Sequence, residues 1–157
     1  MAVERGEAQL PSLDEVVADA ENLLAKGYDR AGNWDLAQVA GHLANWLSYP
    51  VEGFPKVPIV IRPMLWMMRV TSGRRMRDKI LAGGFTAGGR TVPETVPAAG
   101  GDAAEAVARL RRAAEQLKNH AGPIVPSPLF GAMTKDVAVR LQLRHCEHHL
   151  SFLVPKA

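Results

Sequence analysis

Apolar residues recur at helical spacing in one segment after another, and each segment follows a residue that can cap a helix. Ser12 and Glu15 form a capping box ahead of an apolar stripe that stops at Gly27. Asp102 and Glu105 repeat this arrangement ahead of an alanine-rich stripe. No segment alternates apolar and polar residues convincingly as a strand would. The sequence therefore predicts an all-α protein.

Two more helices are predicted from the same signals. Asn33 is the expected cap of a second helix, which should end before Pro50 because the residue preceding a proline avoids the helical region. Thr134 is the expected cap of a last helix that runs up to Pro155. A bundle is the simplest packing for helices of these lengths.

The middle of the chain is predicted to be less regular. A further helix should start near Pro63 and resume after Gly73 as far as Leu81. Residues 83–101 are rich in Gly, Pro and Thr and have no sustained period. A loop of this length in a compact domain usually frames a site or is mobile.

Length and composition limit the domain organisation and the class of protein. A chain of 157 residues, 47% hydrophobic, is long enough for one core and short for two. We expect one domain over residues 12–157, preceded by a flexible tail over residues 1–11 that does not resemble a secretory signal. A single cysteine makes an ordinary reducing cytoplasm the default location. The most apolar stretch is too short and too interrupted to span a membrane.

The net charge of +3 argues only weakly for an anionic partner. The basic cluster formed by Arg69, Arg74, Arg75, Arg77 and Lys79 is interpreted as a solvated helix face. It lacks interleaved aromatic residues and any recognised nucleic-acid-binding fold. No nucleic acid partner is expected.

Three of the five histidines lie in the last predicted helix. Because a helix advances about 100° per residue, His145 and His149 lie about 40° apart on one face and could chelate one metal ion. His148 competes for the second position, at about 60° from His145. His42 on the second helix could supply a third nitrogen if the two helices are neighbours. Three imidazoles would leave open coordination positions, which suit chemistry.

The alternative is that these histidines are satisfied core residues, since a lone histidine on an apolar helix usually is. Glu147 projects away from the His145 face and is interpreted as a solvated carboxylate near Arg144. Cys146 also points elsewhere and is expected to be inert packing.

Three other residues are candidates for lining the space that the histidines face. Gln38 and Trp46 lie one turn before and one turn after His42, although core packing is the commoner role for a tryptophan. Trp66, with the methionines around it, could form a pocket wall, a subunit contact or ordinary core.

These motifs resemble a known superfamily. Asn33-Trp34-Asp35-Leu36 opens a helix containing Gly41-His42-Leu43, and the last helix contains His145-Cys146-Glu147-His148-His149-Leu150. Together they are similar to the DinB-like superfamily, whose pattern is a Trp-Ser or Trp-Asp helix start, a histidine some eight residues later, and a distant His-x-x-x-His. The ending is similar to a branch of that superfamily that has no known function.

The resemblance implies a four-helix bundle with a long crossover that carries an extra helix. It also implies that His42, His145 and His149 bind a divalent metal, with zinc or nickel expected. The better-understood members act on low-molecular-weight thiols, and dimers are common among them. A metal-dependent thiol transferase or small-molecule hydrolase, acting as a homodimer, is therefore the expected function; the alternatives are a metal-binding bundle without catalysis and a partner-binding bundle.

Overall fold

Six helices account for most of the part of the chain that the structure describes. The computed structural model describes residue 6, residues 9–89 and residues 91–156. In chain order the helices are α1 (Leu13–Lys26), α2 (Leu36–Glu52), α3 (Arg62–Thr71), α4 (Gly73–Gly83), α5 (Ala103–Asn119) and α6 (Lys135–Leu150). The all-α prediction is confirmed.

Helices α1, α2, α5 and α6 form the bundle, and α2 packs most extensively against α5. Its core consists largely of fully buried leucines, among them Leu23, Leu36, Leu43, Leu47, Leu110, Leu117 and Leu150. Burial of such side chains from water is the main favourable term in folding, worth roughly 1.5–3 kcal/mol for each of them. This packing brings α2 and α6 together as neighbours, as the histidine hypothesis requires.

The ends of α2 differ from the prediction. Its N-cap is Asp35 and not Asn33, because Asp35 accepts the Gln38 backbone N–H while the Gln38 side chain accepts the Asp35 N–H. The helix also continues through Pro50 to Glu52. A proline lacks only its own N–H, and the Gly53 N–H still bonds to the Tyr49 carbonyl to close the last turn.

The crossover between α2 and α5 carries α3, α4 and a short 3-10 turn at Pro93–Thr95. The predicted interruption of the third helix is confirmed at Ser72 and Gly73, where α3 gives way to α4. Helix α4 packs against α6. Four members of the basic cluster are exposed on α3 and α4, whereas Arg77 is half-buried and pairs with Asp78.

Two short strands were not predicted. Strand β1 (Tyr28–Arg30) pairs antiparallel with β2 (Leu153–Pro155), with Asp29 opposite Val154. The last helix accordingly ends at Leu150 and not at Pro155. Three-residue strands are too short to show an alternating pattern, so only the meeting of the two chain segments reveals them.

The predicted tail over residues 1–11 lies partly outside the described residues, which omit residues 1–5, 7 and 8. Leu10 is buried, and its N–H donates to the Glu147 carboxylate at 3.1 Å. Within the described ranges, every helix is too short or too polar to cross a bilayer.

Candidate metal centre

His42 lies on the buried face of α2 and is held by the loop that precedes α5. Its Nδ1 is 3.2 Å from the Thr95 carbonyl oxygen and 3.1 Å from the Thr95 hydroxyl. Since a carbonyl oxygen can only accept, Nδ1 carries the proton. The other ring nitrogen, Nε2, is therefore left with its lone pair, in the form that binds a metal.

Thr95 is itself fixed by further hydrogen bonds. Its hydroxyl donates to the Val92 carbonyl at 2.7 Å, and its carbonyl also accepts from the Asn45 side-chain amide at 3.1 Å. Arg109 on α5 donates to the Asn45 side-chain oxygen. The chain of contacts from Arg109 to Thr95 thus sets the orientation and the tautomer of the His42 ring.

Gly41 lets the loop approach α2 closely enough to make these contacts. A Cβ at this position would lie 2.7 Å from Cγ of Pro97, which is closer than real Cβ atoms come to such a neighbour. The glycine next to His42 is therefore a packing requirement of the segment that carries Thr95.

His145 and His149 project from α6 toward His42. His145 Nε2 lies 3.3 Å from His42 Nε2 and 3.0 Å from His149 Nε2. The candidate ligand nitrogens of the three residues all lie within 4.8 Å of one another. One turn of α6 and a neighbouring face of α2 thus bring three imidazoles to one point.

The two separations that involve His145 Nε2 match the edges of a metal coordination polyhedron, and the third pair of ligand nitrogens lies within 4.8 Å. Two nitrogens that are each about 2.0–2.1 Å from one ion are about 3.3 Å apart in tetrahedral geometry and about 2.9 Å apart at adjacent octahedral positions. The observed 3.3 and 3.0 Å fall at these values. The three-histidine cluster could therefore hold a metal ion.

Hydrogen bonds between the three imidazoles satisfy the ring nitrogens less well than a bound cation would. His145 Nε2 has either one N–H or one lone pair, and two other ring nitrogens face it. It cannot form a well-directed hydrogen bond with both. A cation at the centre would accept all three lone pairs at once.

The surroundings of His42 and His145 favour the neutral form of both imidazoles. Burial lowers the pKa of His42 to about 4, and its hydrogen bond to the Thr95 carbonyl opposes this only partly. Burial, followed by the neighbouring histidines, lowers the pKa of His145 well below its ordinary value. Neutral imidazole is the form that ligates a metal.

Aromatic rings surround the cluster. Trp34 stacks on His149, with ring centroids 5.0 Å apart and planes at 8°. Trp46 and Phe85 each lie 5.4 Å from the His145 ring, centroid to centroid. These contacts restrict the orientations of the His145 and His149 rings.

A cavity of about 310 Å³ lies beside the cluster. His42, His145 and His149 are among its lining residues, and its other walls come from α2, α4, α6, the long loop and the segment before α6. The volume is at the lower end of the range for small-molecule sites. The loop over residues 83–101, expected either to frame a site or to be mobile, contributes Phe85, Thr86 and Val92 to the lining of this cavity.

The sequence profile described as "Protein of unknown function (DUF1569)" matches residues 2–156. The chain belongs to the DUF1569 family. This membership spans nearly the whole chain but assigns no activity, and it does not extend to the DinB-like superfamily, which stays a proposal.

No curated protein and no solved structure matches this DUF1569 member. Its function must therefore be argued from the site itself.

The other candidate site residues take different positions. Trp46 is among the residues that line the cavity. Gln38 forms part of the capping box of α2, and its amide nitrogen donates to the Pro97 carbonyl at 3.2 Å. Gln38 therefore supports the loop, and it is not among the residues that line the cavity. Trp66 is 61% exposed on α3 and lies outside the cavity lining.

The three neighbours on α6 also differ in role. His148 lines the cavity and packs against Phe85 and Phe152, while the cluster itself consists of His42, His145 and His149. Cys146 is fully buried, and burial followed by the charge of Glu147 raises the pKa of its thiol. Glu147 pairs with Arg144 at 3.0 Å as predicted, but it is half-buried and also accepts the Leu10 N–H.

Sequence reasoning did not identify Thr95, Asn45 or Phe85 as parts of the site. Thr95 and Phe85 belong to the segment without helical or strand periodicity, where no pattern marks individual residues. The one available signal was the length of that loop, which pointed to the segment and not to its members.

Proposed function

We propose that this protein binds one divalent metal ion through the Nε2 atoms of His42, His145 and His149, and that it uses the ion in chemistry on a small molecule. The observation that carries the proposal is the spacing of the ring nitrogens, 3.3 and 3.0 Å, beside a cavity large enough for a ligand. Zinc or nickel is the expected ion, because an all-imidazole donor set suits both.

The reaction class that we propose is thiol transfer to an electrophile or hydrolysis of a small molecule. A bound divalent ion lowers the pKa of a coordinated thiol or water and so provides a nucleophile at neutral pH. The protein's own contribution is to hold three neutral imidazoles in place, to exclude water with Trp34 and Phe85, and to position a second reactant in the cavity. The resemblance to DinB-like proteins, several of which act on thiols, supports the first of the two reactions.

The first test is metal content. Protein purified without a nickel column should contain close to one equivalent of metal by mass spectrometry, or should take up one equivalent of zinc after treatment with a chelator. The His145→Ala variant should take up far less. If the wild-type protein holds much less than one equivalent of metal and the His145→Ala variant holds the same amount, the metal centre is excluded.

The second test separates an enzyme from a passive metal-binding bundle. The metal-loaded protein is incubated with small thiols and chlorodinitrobenzene, and conjugation is compared with that of His145→Ala protein. In cobalt-substituted protein, a thiolate-to-metal charge-transfer band would report direct binding of the thiol. Metal uptake without conjugation and without the charge-transfer band would favour a metal-binding bundle that is not catalytic.

A partner-binding role is favoured by one separate observation, the exposed apolar face of α3. Trp66, Met67 and Val70 are each more than half exposed there. Contiguous apolar surface of this kind often marks an interface. We propose that the protein is cytoplasmic and forms a homodimer through this face of α3. Light scattering on wild-type and Trp66→Glu protein tests this assembly.

A further inference from the structure

The cavity beside the histidines has an unusual lining. Among the described residues that line it there is no Asp, Glu, Lys or Arg, although 22% of the chain is charged. The walls are formed mainly by apolar side chains, including Phe54, Met76, Ile80, Phe85, Phe130 and Met133.

A charged group that lies against these walls, away from the proposed metal, would be poorly accommodated. A carboxylate or an ammonium group loses its water shell on entry and needs an opposite charge or several hydrogen bonds in return. The proposed metal would supply positive charge only at the histidine cluster, to the group that reaches it. A molecule whose free carboxylates lie along the described walls, as in peptide-like thiols, is therefore disfavoured in this space.

The cavity does offer positions for uncharged hydrogen-bonding groups. Two buried side-chain polar atoms within the described ranges lack a partner, namely Nε1 of Trp46 and Oε1 of Gln142, and both residues line this cavity. Buried polar atoms normally have a partner. A ligand with one neutral donor and one neutral acceptor would supply both, after small rotations of these side chains.

Gln142 also lies on the same face of α6 as the histidines. It precedes His145 by three positions and His149 by seven, so the three side chains follow one stripe of the helix. Gln142 is therefore next to the cluster in the lining of the cavity.

We infer that the molecule that occupies this cavity is an uncharged, largely apolar compound of small size, which presents one polar group to the histidine cluster. This inference rests on the proposed function, because it takes the cluster to be the reactive end of the site. It separates this chain from an enzyme that accepts a charged thiol in the same space.

A matched pair of probes tests the inference directly. N-phenyl-1-naphthylamine is uncharged, apolar and carries one N–H donor, whereas 8-anilinonaphthalene-1-sulfonate has the same rings plus a sulfonate. Fluorescence titration of wild-type protein, with and without zinc, should show the uncharged probe binding at least tenfold more tightly. The net charge of +3 favours the anion elsewhere on the surface, so the comparison is conservative.

Two variants that introduce the same charge locate the binding. Met133→Glu introduces a charge into the cavity wall, in the segment before α6, and should weaken binding of the uncharged probe at least tenfold. Val60→Glu introduces the same charge in the segment before α3, where Val60 is 81% exposed and outside the cavity lining, and should change the affinity less than twofold. Met76→Glu, on the α4 side of the cavity, serves if circular dichroism shows that Met133→Glu does not fold.

Equal affinity for the two probes, or loss of binding in Val60→Glu but not in the cavity variants, would overturn the inference. Zinc titration of the same samples keeps this result distinct from the proposed function. Zinc uptake without probe binding refutes the apolar ligand alone, and probe binding without zinc uptake refutes the metal centre.

Discussion

The Nε2 atoms of His42 and His145 lie 3.3 Å apart although the two residues are 103 positions apart in the chain. The packing of α2 and α6 in one bundle produces this contact, and Thr95 fixes the ring that faces His145. The site therefore depends on three separate segments, and each can be disturbed on its own.

Replacement of single histidines on α6 should distinguish the ligands. His149→Ala should lower zinc affinity by more than the roughly 10- to 100-fold that the loss of an outer contact costs, because it removes a nitrogen of the cluster. His148→Ala is the matched control and should leave the affinity within a few-fold of wild type. Calorimetric titration of chelator-treated protein measures both, and equal losses in the two variants would mean that His148 is a ligand.

Thr95→Val should weaken the metal site without removing a ligand. Valine has nearly the same shape but lacks the hydroxyl that lies 3.1 Å from His42 Nδ1, so the ring is held by the carbonyl alone. Zinc affinity should fall by about tenfold. Thr91→Val, in the same loop, is the control, and an unchanged affinity in Thr95→Val would show that the hydroxyl does not orient the ring.

Gly41→Ala should destabilise the fold and the site together. The added Cβ would lie 2.7 Å from Pro97, so the loop that carries Thr95 must shift, at a cost of about 1–3 kcal/mol in the free energy of unfolding. Gly83→Ala meets no atom within 4 Å and should be neutral or stabilising by up to about 1 kcal/mol. Urea unfolding measures both, and equal effects would rule out the Pro97 clash.

The metal-free protein should lose stability as the pH falls. The pKa of His42 is about 4 in the folded chain, against 6.5 ordinarily, so below pH 6.5 the unfolded chain binds a proton that the folded chain does not. The free energy of unfolding should decrease from about pH 6.5 toward pH 4. Urea unfolding of wild-type and His42→Phe protein over this range should show a shallower decrease in the variant; identical profiles would contradict this origin.

Cys146 should react slowly with thiol reagents in the folded protein. Its side chain is fully buried and its pKa is raised, so little thiolate forms and none is accessible. Ellman's reagent should react at least roughly 100-fold more slowly than with the urea-unfolded chain. Cys146→Ala should retain zinc binding, and loss of the metal in that variant would point to a role for the thiol.

Local signals along the chain determined much of the architecture. The capping boxes at Ser12 and Asp102 predicted the starts of α1 and α5 correctly, because a cap and the apolar stripe behind it act within one or two turns. Thr134 was likewise correct for α6. The start of α2 was misplaced because Asn33 and Asp35 are both good caps, and the Gln38 side chain, which completes the box with Asp35, decides between them.

The sequence alone favoured His149 over His148 as the partner of His145, since the helical repeat fixes their angular separations at about 40° and 60°. Only the tertiary structure decided that His42 joins them, because that depends on which faces of α2 and α6 pack together. The tertiary structure also decided the role of Thr95, whose backbone carbonyl sets the tautomer of His42 although the two residues are 53 positions apart. It likewise decided the pairing of the short strands β1 and β2. Periodicity reports contacts within a few residues, whereas a metal centre assembled from distant segments is specified by the packing of the whole core.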